Sequence, residues 1–323
     1  MKKLNAFLFA LLLTIGALAG CGSNADQSNA EETKKTETAQ QAEAKFPVTI
    51  KDGTGQEVTI ESKPEKIVSL IPSNTEIAYG LGLDEQIVGV SEFDNFPEEV
   101  AEKEKIGGME FNLEKIISLK PDLVLAHASS AHSSEAGLQQ LKDTGITVLV
   151  VNDATTFDEV YESISMIGTA SGQKEKADVM IADMKKKIEE IKTKAQEIKE
   201  EDRKSVFVEV SPAPEVYAAG KNTFIDEMLQ IINAENTVTE EGWPKLDSEA
   251  IIKRNPEVII TTHGYYTPEP VKNVTSREGW DKITAVKENR VVDVHSDKVT
   301  RTGPRLTEGV EELAKAVYPD VFK

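Results

Sequence analysis

Two stretches of this chain match without a gap at an offset of 135 residues. The first is Leu113-Glu114-Lys115-Ile116-Ile117-Ser118-Leu119-Lys120-Pro121-Asp122-Leu123-Val124-Leu125, and the second is Ser248-Glu249-Ala250-Ile251-Ile252-Lys253-Arg254-Asn255-Pro256-Glu257-Val258-Ile259-Ile260. Each reads as a short helix with an acid in its first turn, a turn marked by Pro, and then a buried strand. The same unit used twice points to two similar α/β lobes, with room for a ligand between them.

Between the copies lies a helical stretch, Gly172 to Glu201, with apolar residues Ala177, Ile181, Met184, Ile188, Ile191, Ala195 and Ile198. Their spacing alternates between 4 and 3, which lays one continuous stripe along a helix. Lys and Glu fill the other face. At about 1.5 Å per residue the rod would be roughly 45 Å long, more than one small lobe needs. A coiled-coil arm would use the same stripe, but about four heptads is the minimum for one. The flanking repeat favours a helix that lies across both lobes and joins them.

Met1 to Gly20 reads as a targeting segment: Lys2 and Lys3 precede an apolar core from Ala6 to Leu13 that is too short to span a membrane. It ends in Leu18-Ala19-Gly20-Cys21, which resembles the lipobox of bacterial lipoproteins. In that family the signal is removed before the Cys and the Cys is lipidated. Cys21 is the only cysteine, so it has no disulfide partner within the chain. An ordinary secreted protein with a spare thiol is the plain alternative. Residues 21–45 are rich in Ser, Asn, Glu, Thr, Gln and Ala, cannot bury a core, and are expected to be a disordered tether. The remaining chain divides into an N-terminal lobe at 46–171, the spanning helix at 172–203 and a C-terminal lobe at 204–323.

The full chain has 37 basic and 56 acidic residues; loss of Lys2 and Lys3 with the leader leaves a net charge of −21. Such a surface lacks the cations that phosphates need and excludes nucleic acid as a partner. Within the N-terminal lobe, Phe46 to Glu61 alternates around Asp52-Gly53-Thr54-Gly55, a hairpin signal. Lys66 to Leu70 is a buried strand. Ser73 and Glu76 have the spacing of a capping box opening the next helix. Strands and helices keep alternating, so each lobe is expected to hold a mostly parallel sheet.

Several stretches resemble the substrate-binding proteins of ABC importers for cobalamin and iron–siderophores. They are Ser69-Leu70-Ile71-Pro72-Ser73-Asn74-Thr75-Glu76, Val88-Gly89-Val90-Ser91, Phe96-Pro97, Asn112-Leu113-Glu114-Lys115-Ile116 and Ser296-Asp297-Lys298-Val299-Thr300-Arg301-Thr302-Gly303-Pro304-Arg305. The likeness runs in order from about Val48 to the C-terminus, and the closest pattern is that of cobalamin binders. It implies two rigid α/β lobes joined by one helix. It also implies a monomer without catalysis or an intrinsic cofactor, which delivers a chelate to a permease dimer driven by a cytoplasmic ATPase. Those binders tend to carry a Trp just before a Gly-Met-Asn-Leu-Glu stretch. This chain has Ile106-Gly107-Gly108-Met109-Glu110-Phe111-Asn112 there, which keeps siderophores open as the alternative.

The cleft should be lined by loops at the C-terminal ends of the strands. Candidates are Phe93, Phe96, His127, Tyr217, Trp243, His263, Tyr265 and Tyr266, since aromatic faces suit a large planar chelate. Any one of them could instead pack in a core. Trp243-Pro244 matches a Trp-Pro of the cobalamin binders. The resemblance places Asp297 and Arg301 where those binders set an acid and an Arg against the corrin's amide edges; Arg301 would serve a siderophore carboxylate or catecholate equally. Arg305 reads as a structural ion-pair residue. Glu114 and Glu249 hold matching places in the repeat, where Asn112 and Asp247 can cap the helices and the acids suit the dipole. The family's docking acids map onto the same two positions.

His127, His132, His263 and His295 show no ligand spacing, so no bare metal site is expected. Catalytic signatures are missing as well: no Gly-x-Ser-x-Gly elbow, no phosphate loop and no His-Glu-x-x-His. A surface hydrolase or metalloenzyme on this fold is the competing class.

Overall fold

The computed structural model describes residues 45–323, so the leader, Cys21 and all but the last residue of the tether lie outside it. Strands β1 (Val48–Lys51) and β2 (Glu57–Ile60) form the expected hairpin, whose turn is tied by the Asp52 carboxylate accepting from the Thr54 and Gln56 amides. The N-terminal sheet holds β3 (Ile67–Ser69), β4 (Ile87–Val90), β5 (Glu104–Lys105), β6 (Leu123–His127) and β7 (Thr147–Val151), in the order β5-β4-β3-β6-β7 and parallel throughout. The C-terminal sheet holds β8 (Ser205–Ser211), β9 (Tyr217–Ala218), β10 (Glu235–Asn236), β11 (Val258–Thr261) and β12 (Val291–Asp293). Its order is β10-β8-β11-β12, also parallel, with β9 antiparallel on β8. Both sheets start in their middle and reverse direction there, between β3 and β6 and between β8 and β11. Ligands of open α/β sheets bind outside the strand ends at that point.

The repeat is a repeat of structure. Asn112 and Asp247 each cap a seven-residue helix, accepting from the amides of Lys115 at 2.9 Å and Ala250 at 2.7 Å. Each helix ends on a left-handed residue, Lys120 or Asn255, just before its Pro. Asp122 and Glu257 then accept from the amides that open β3 and β8. Matching residues thus lock matching strands side by side.

Side-chain alternation along the central strands builds three cores. Ile67, Leu123, Leu125, Val206, Val208, Val258 and Ile260 face one shared cluster. Val68, Val124 and Ala126 face a cluster confined to the N-terminal lobe. Phe207 and Ile259 face one confined to the C-terminal lobe. The long helix joins the lobes in the shared cluster through Ala177, Met184, Ile191 and Ala195. It packs on helix Phe157–Ala170 of the first lobe and on helices Phe224–Ile231 and Leu306–Val317 of the second. A Cβ at Gly168 would collide with Ala177, so glycine sets the close approach of the first pair. Each large side chain of the stripe contributes about 1.5–3 kcal/mol by burial.

That helix is shorter than its periodicity predicts. It runs Lys174–Ala195, 22 residues, or roughly 33 Å. Tertiary contact ends it early: the Asn233 side chain, from the second lobe, donates to the carbonyls of Ala195 and Ile198. Ile198 still turns into the core from the loop beyond. The capping box at Ser73 does not form either. The helix starts two residues sooner, with Ile71 as cap and Pro72 in its first turn, while Glu76 turns toward two arginines of the other lobe.

Candidate ligand cleft

The segment after β12 crosses back to the N-terminal lobe. Arg301 donates to Glu76 at 2.8 Å, to the Asn95 side-chain oxygen at 2.7 Å and to the Phe93 carbonyl at 3.3 Å. Asp297 pairs with the same guanidinium at 3.1 Å and accepts from Asn95 at 2.9 Å. Arg305 reaches Glu76 at 3.2 Å and lies 4.0 Å over the Phe96 ring. Burial pushes the Glu76 carboxyl above its usual range, outweighing the hydrogen bond from Arg301 and the charges of both arginines. Behind this strut Phe96, Tyr79, Pro304 and Arg305 border a pocket of about 570 Å³.

Arg301 and Asp297, expected at the ligand's polar edge, both stand where the lobes meet, with the Arg301 Nη atoms and the Asp297 carboxylate engaged in an inter-lobe strut. Arg305 is an ion-pair residue, as expected, and bridges the lobes in the same strut.

The aromatic candidates divide cleanly. Phe93 is 52% exposed, Trp243 44% and Tyr265 76%; Phe96, Tyr217 and Tyr266 are open as well. All six follow C-terminal strand ends or the β9 edge. Tyr217 pairs with Lys245, two residues past Trp243, and the Ala218 amide donates to Pro244, so Tyr217 and Trp243 sit on neighbouring chains. The Trp243 ring lies 5.6 Å from Phe224. Tyr265 meets Tyr266 edge-on at 4.7 Å. Phe93 belongs to the other lobe, and its carbonyl touches Arg301.

The histidines do not join them. His263 is wholly buried and bonded through Nε2 to Glu209 at 3.0 Å, so it is not a cleft contact. His127 is buried at the end of β6, where its Nδ1 bonds Ser129 at 2.8 Å. Burial lowers its pKa, with Asp153 opposing, so His127 is neutral at pH 7. Each ring is held by partners in its own lobe. Among the described residues no group of three or more His, Cys, Asp or Glu is placed to hold a metal ion.

Other residues escaped the sequence reading. Asn95 and Glu76 complete the strut, and Glu76 was hidden behind its capping-box spacing. Met109 is 86% exposed at the tip of the turn after β5, where Gly108 lies against Phe93. The glycine pair before it was the available signal. Glu114 and Glu249 are both exposed in the first turns of their helices.

The sequence matches the periplasmic binding protein family over residues 67–298, more than half of the chain. It is 52% identical to an uncharacterized ABC transporter substrate-binding lipoprotein of Bacillus subtilis, YvrC, over the full length of both. A cobalamin-binding protein of Halobacterium salinarum is 26% identical, covering 97% of this chain and 84% of the relative. The crystal structure of a possible iron-binding, periplasmic solute-binding protein of Staphylococcus epidermidis superposes with a TM-score of 0.72 at 39% identity, covering 80% of this chain and all of the other. These relatives are binding proteins rather than enzymes. With two parallel-sheet lobes, one linking helix and aromatics gathered at the strand ends, the chain belongs to the periplasmic binding protein family, as a substrate-binding protein of an ABC transporter.

Proposed function

We infer that this protein captures a metal chelate with a broad apolar face, cobalamin or a related corrinoid first, in the cleft between its lobes. It passes the ligand to a permease dimer powered by a cytoplasmic ATPase. One observation carries the reading: Phe93, Tyr217, Trp243 and Tyr265 stand exposed at strand ends of two lobes tied together at Phe93. Exposed aromatics grouped at one end of a sheet suit stacking on a flat ligand. The 26% likeness to a cobalamin-binding protein supports the corrinoid, and the 39% likeness to a possible iron-binding protein supports a ferric siderophore as the second reading. Lipidated Cys21 would hold the protein on the extracytoplasmic face of the membrane, and Glu114 and Glu249 would meet the permease, one from each lobe.

Titration with cyanocobalamin, hemin and ferric catecholate or hydroxamate siderophores tests the ligand. Cyanocobalamin is expected to bind most tightly. No cyanocobalamin binding at about tens of micromolar, together with binding of a siderophore, would establish the second reading in its place.

A further inference from the structure

Beneath the most exposed aromatics of the C-terminal lobe lies a buried ionic cluster that ligand contact does not use. Glu209, near the end of β8, has no exposed surface. Arg277 grips it with both ends of its fork, at 2.6 and 2.7 Å. His263 donates from Nε2 to the same carboxylate at 3.0 Å. The Arg277 guanidinium lies 4.4 Å over the ring of buried Trp280. Burial raises the Glu209 pKa, but its bonds to Arg277 and His263 prevail and hold the carboxyl below its usual range.

These three residues come from three segments: β8, the loop after β11, and the chain following helix Pro270–Thr275. The cluster therefore pins both ends of the long excursion from Thr262 to Trp280. Tyr265 and Tyr266 lie on that excursion, directly after His263, whose ring centroid is 6.0 Å from that of Tyr266. The loop is held on its other side too. Asp293 accepts from the Thr261 hydroxyl at 2.6 Å and from the Gly264 amide at 3.2 Å, and a Cβ on Gly264 would run into that carboxylate. The Thr267 amide closes back on the His263 carbonyl at 2.9 Å.

A buried ion cluster is a poor way to gain stability, since packed apolar residues of the same volume often do as well or better. Its distinctive property is fixed geometry: a bidentate fork allows one arrangement of the segments it joins. We propose that the Glu209–Arg277–His263 cluster is a positioning device that fixes Tyr265 and Tyr266 as a preformed wall of the ligand cleft. It rests on the reading of the cleft as the chelate site. Binding to a preformed wall avoids the cost of ordering a loop on contact.

The first test needs no ligand. In Glu209→Gln, amide hydrogen exchange across Thr262–Thr267 should accelerate about tenfold or more, while the segment around Trp243 keeps its rate. Arg277→Lys, which retains the charge but loses the fork, should show the same pattern, and it serves if Glu209→Gln does not fold. Unchanged exchange in the loop overturns the proposal. The second test is a double-mutant cycle with cyanocobalamin, or with the siderophore if that is the chelate bound. Tyr265→Ala should weaken binding roughly tenfold in the wild-type background and less than about twofold in the Arg277→Lys background. Equal losses in both backgrounds make the cluster merely structural and overturn the proposal. Tyr265→Ala without effect, while Trp243→Ala weakens binding, also overturns it and leaves the cleft reading standing. If neither substitution matters, the cleft reading falls and takes the proposal with it.

Discussion

Trp243→Ala is the substitution whose effect follows most directly from the geometry. The side chain is 44% exposed, and its inner edge rests on Phe224 with ring centroids 5.6 Å apart. A Trp has about 250 Å² to bury, so roughly 110 Å² is open for a ligand to cover. At about 25 cal/mol per Å² that area is worth about 2.7 kcal/mol, or roughly a hundredfold in Kd. A chelate that covers half of it would lose roughly tenfold. The fold loses a comparable amount, since the other roughly 140 Å² is already buried and is worth about 3.5 kcal/mol at the same rate, with the Phe224 contact adding about 0.5–1.5 kcal/mol beyond its area. Calorimetric titration of wild type and variant with cyanocobalamin measures the first quantity, and thermal unfolding without ligand measures the second. A Kd that changes by less than twofold in a stable, folded variant would refute the reasoning, because no flat ligand could then be resting on that ring.

Four further outcomes are expected. Glu114→Gln with Glu249→Gln should leave chelate affinity intact and cost about 1 kcal/mol or less of stability per site, while uptake or transporter ATPase stimulation falls below that of either single variant; full uptake by the double variant would reduce the acids to helix-start residues. Cys21→Ala should release the protein from the membrane fraction, since stable anchoring needs more than one acyl chain and lipoproteins carry that on this cysteine; unchanged fractionation would reject the anchor. Glu209 has its folded-state pKa depressed below the ordinary 4.5, so its contribution to stability is present above pH 4.5 and lost as pH falls through the lowered value. Denaturant midpoints below about pH 4.5 should therefore drop more steeply for wild type than for Glu209→Gln, and parallel curves would contradict the assignment. Scattering curves with and without ligand should nearly superimpose, because the helix core and the Glu76–Arg301–Asn95 strut both brace the lobes; a clear fall in radius of gyration would count against bracing.

The lobes, their parallel sheets and the linking helix were legible because each rests on a local pattern. The repeated Glu-x-Ile-Ile and Pro-acid positions specify cap, turn and strand within a few residues, and 3.6-residue periodicity marks the helix face. The helix end was not legible, because Asn233 reaches it from 38 residues beyond Ala195. The strut was hidden for the same reason: Glu76 and Arg301 are 225 residues apart, and nothing near Glu76 distinguishes a capping acid from an ion-pair partner. Exposed aromatics were readable as a set, since strand ends can be placed from the pattern. The histidines were misplaced, since a His after a strand looks the same in sequence whether it faces a cleft or a buried carboxylate, as His263 does.

The alternation of Val206 and Val208 against Phe207, and of Leu123 and Leu125 against Val124, makes the two halves one cooperative unit. Each half owns a private oil layer on one face of its sheet, but the layer on the opposite face, which its own helices cover in part, runs on through the linking helix into the other half. Splitting the chain after Ala170 would strip Ala177, Met184 and the residues they cover from the first half, leaving it with a wet, sticky flank. Heat or denaturant should accordingly melt both halves together in a single transition, although their backbones repeat one another and look separable.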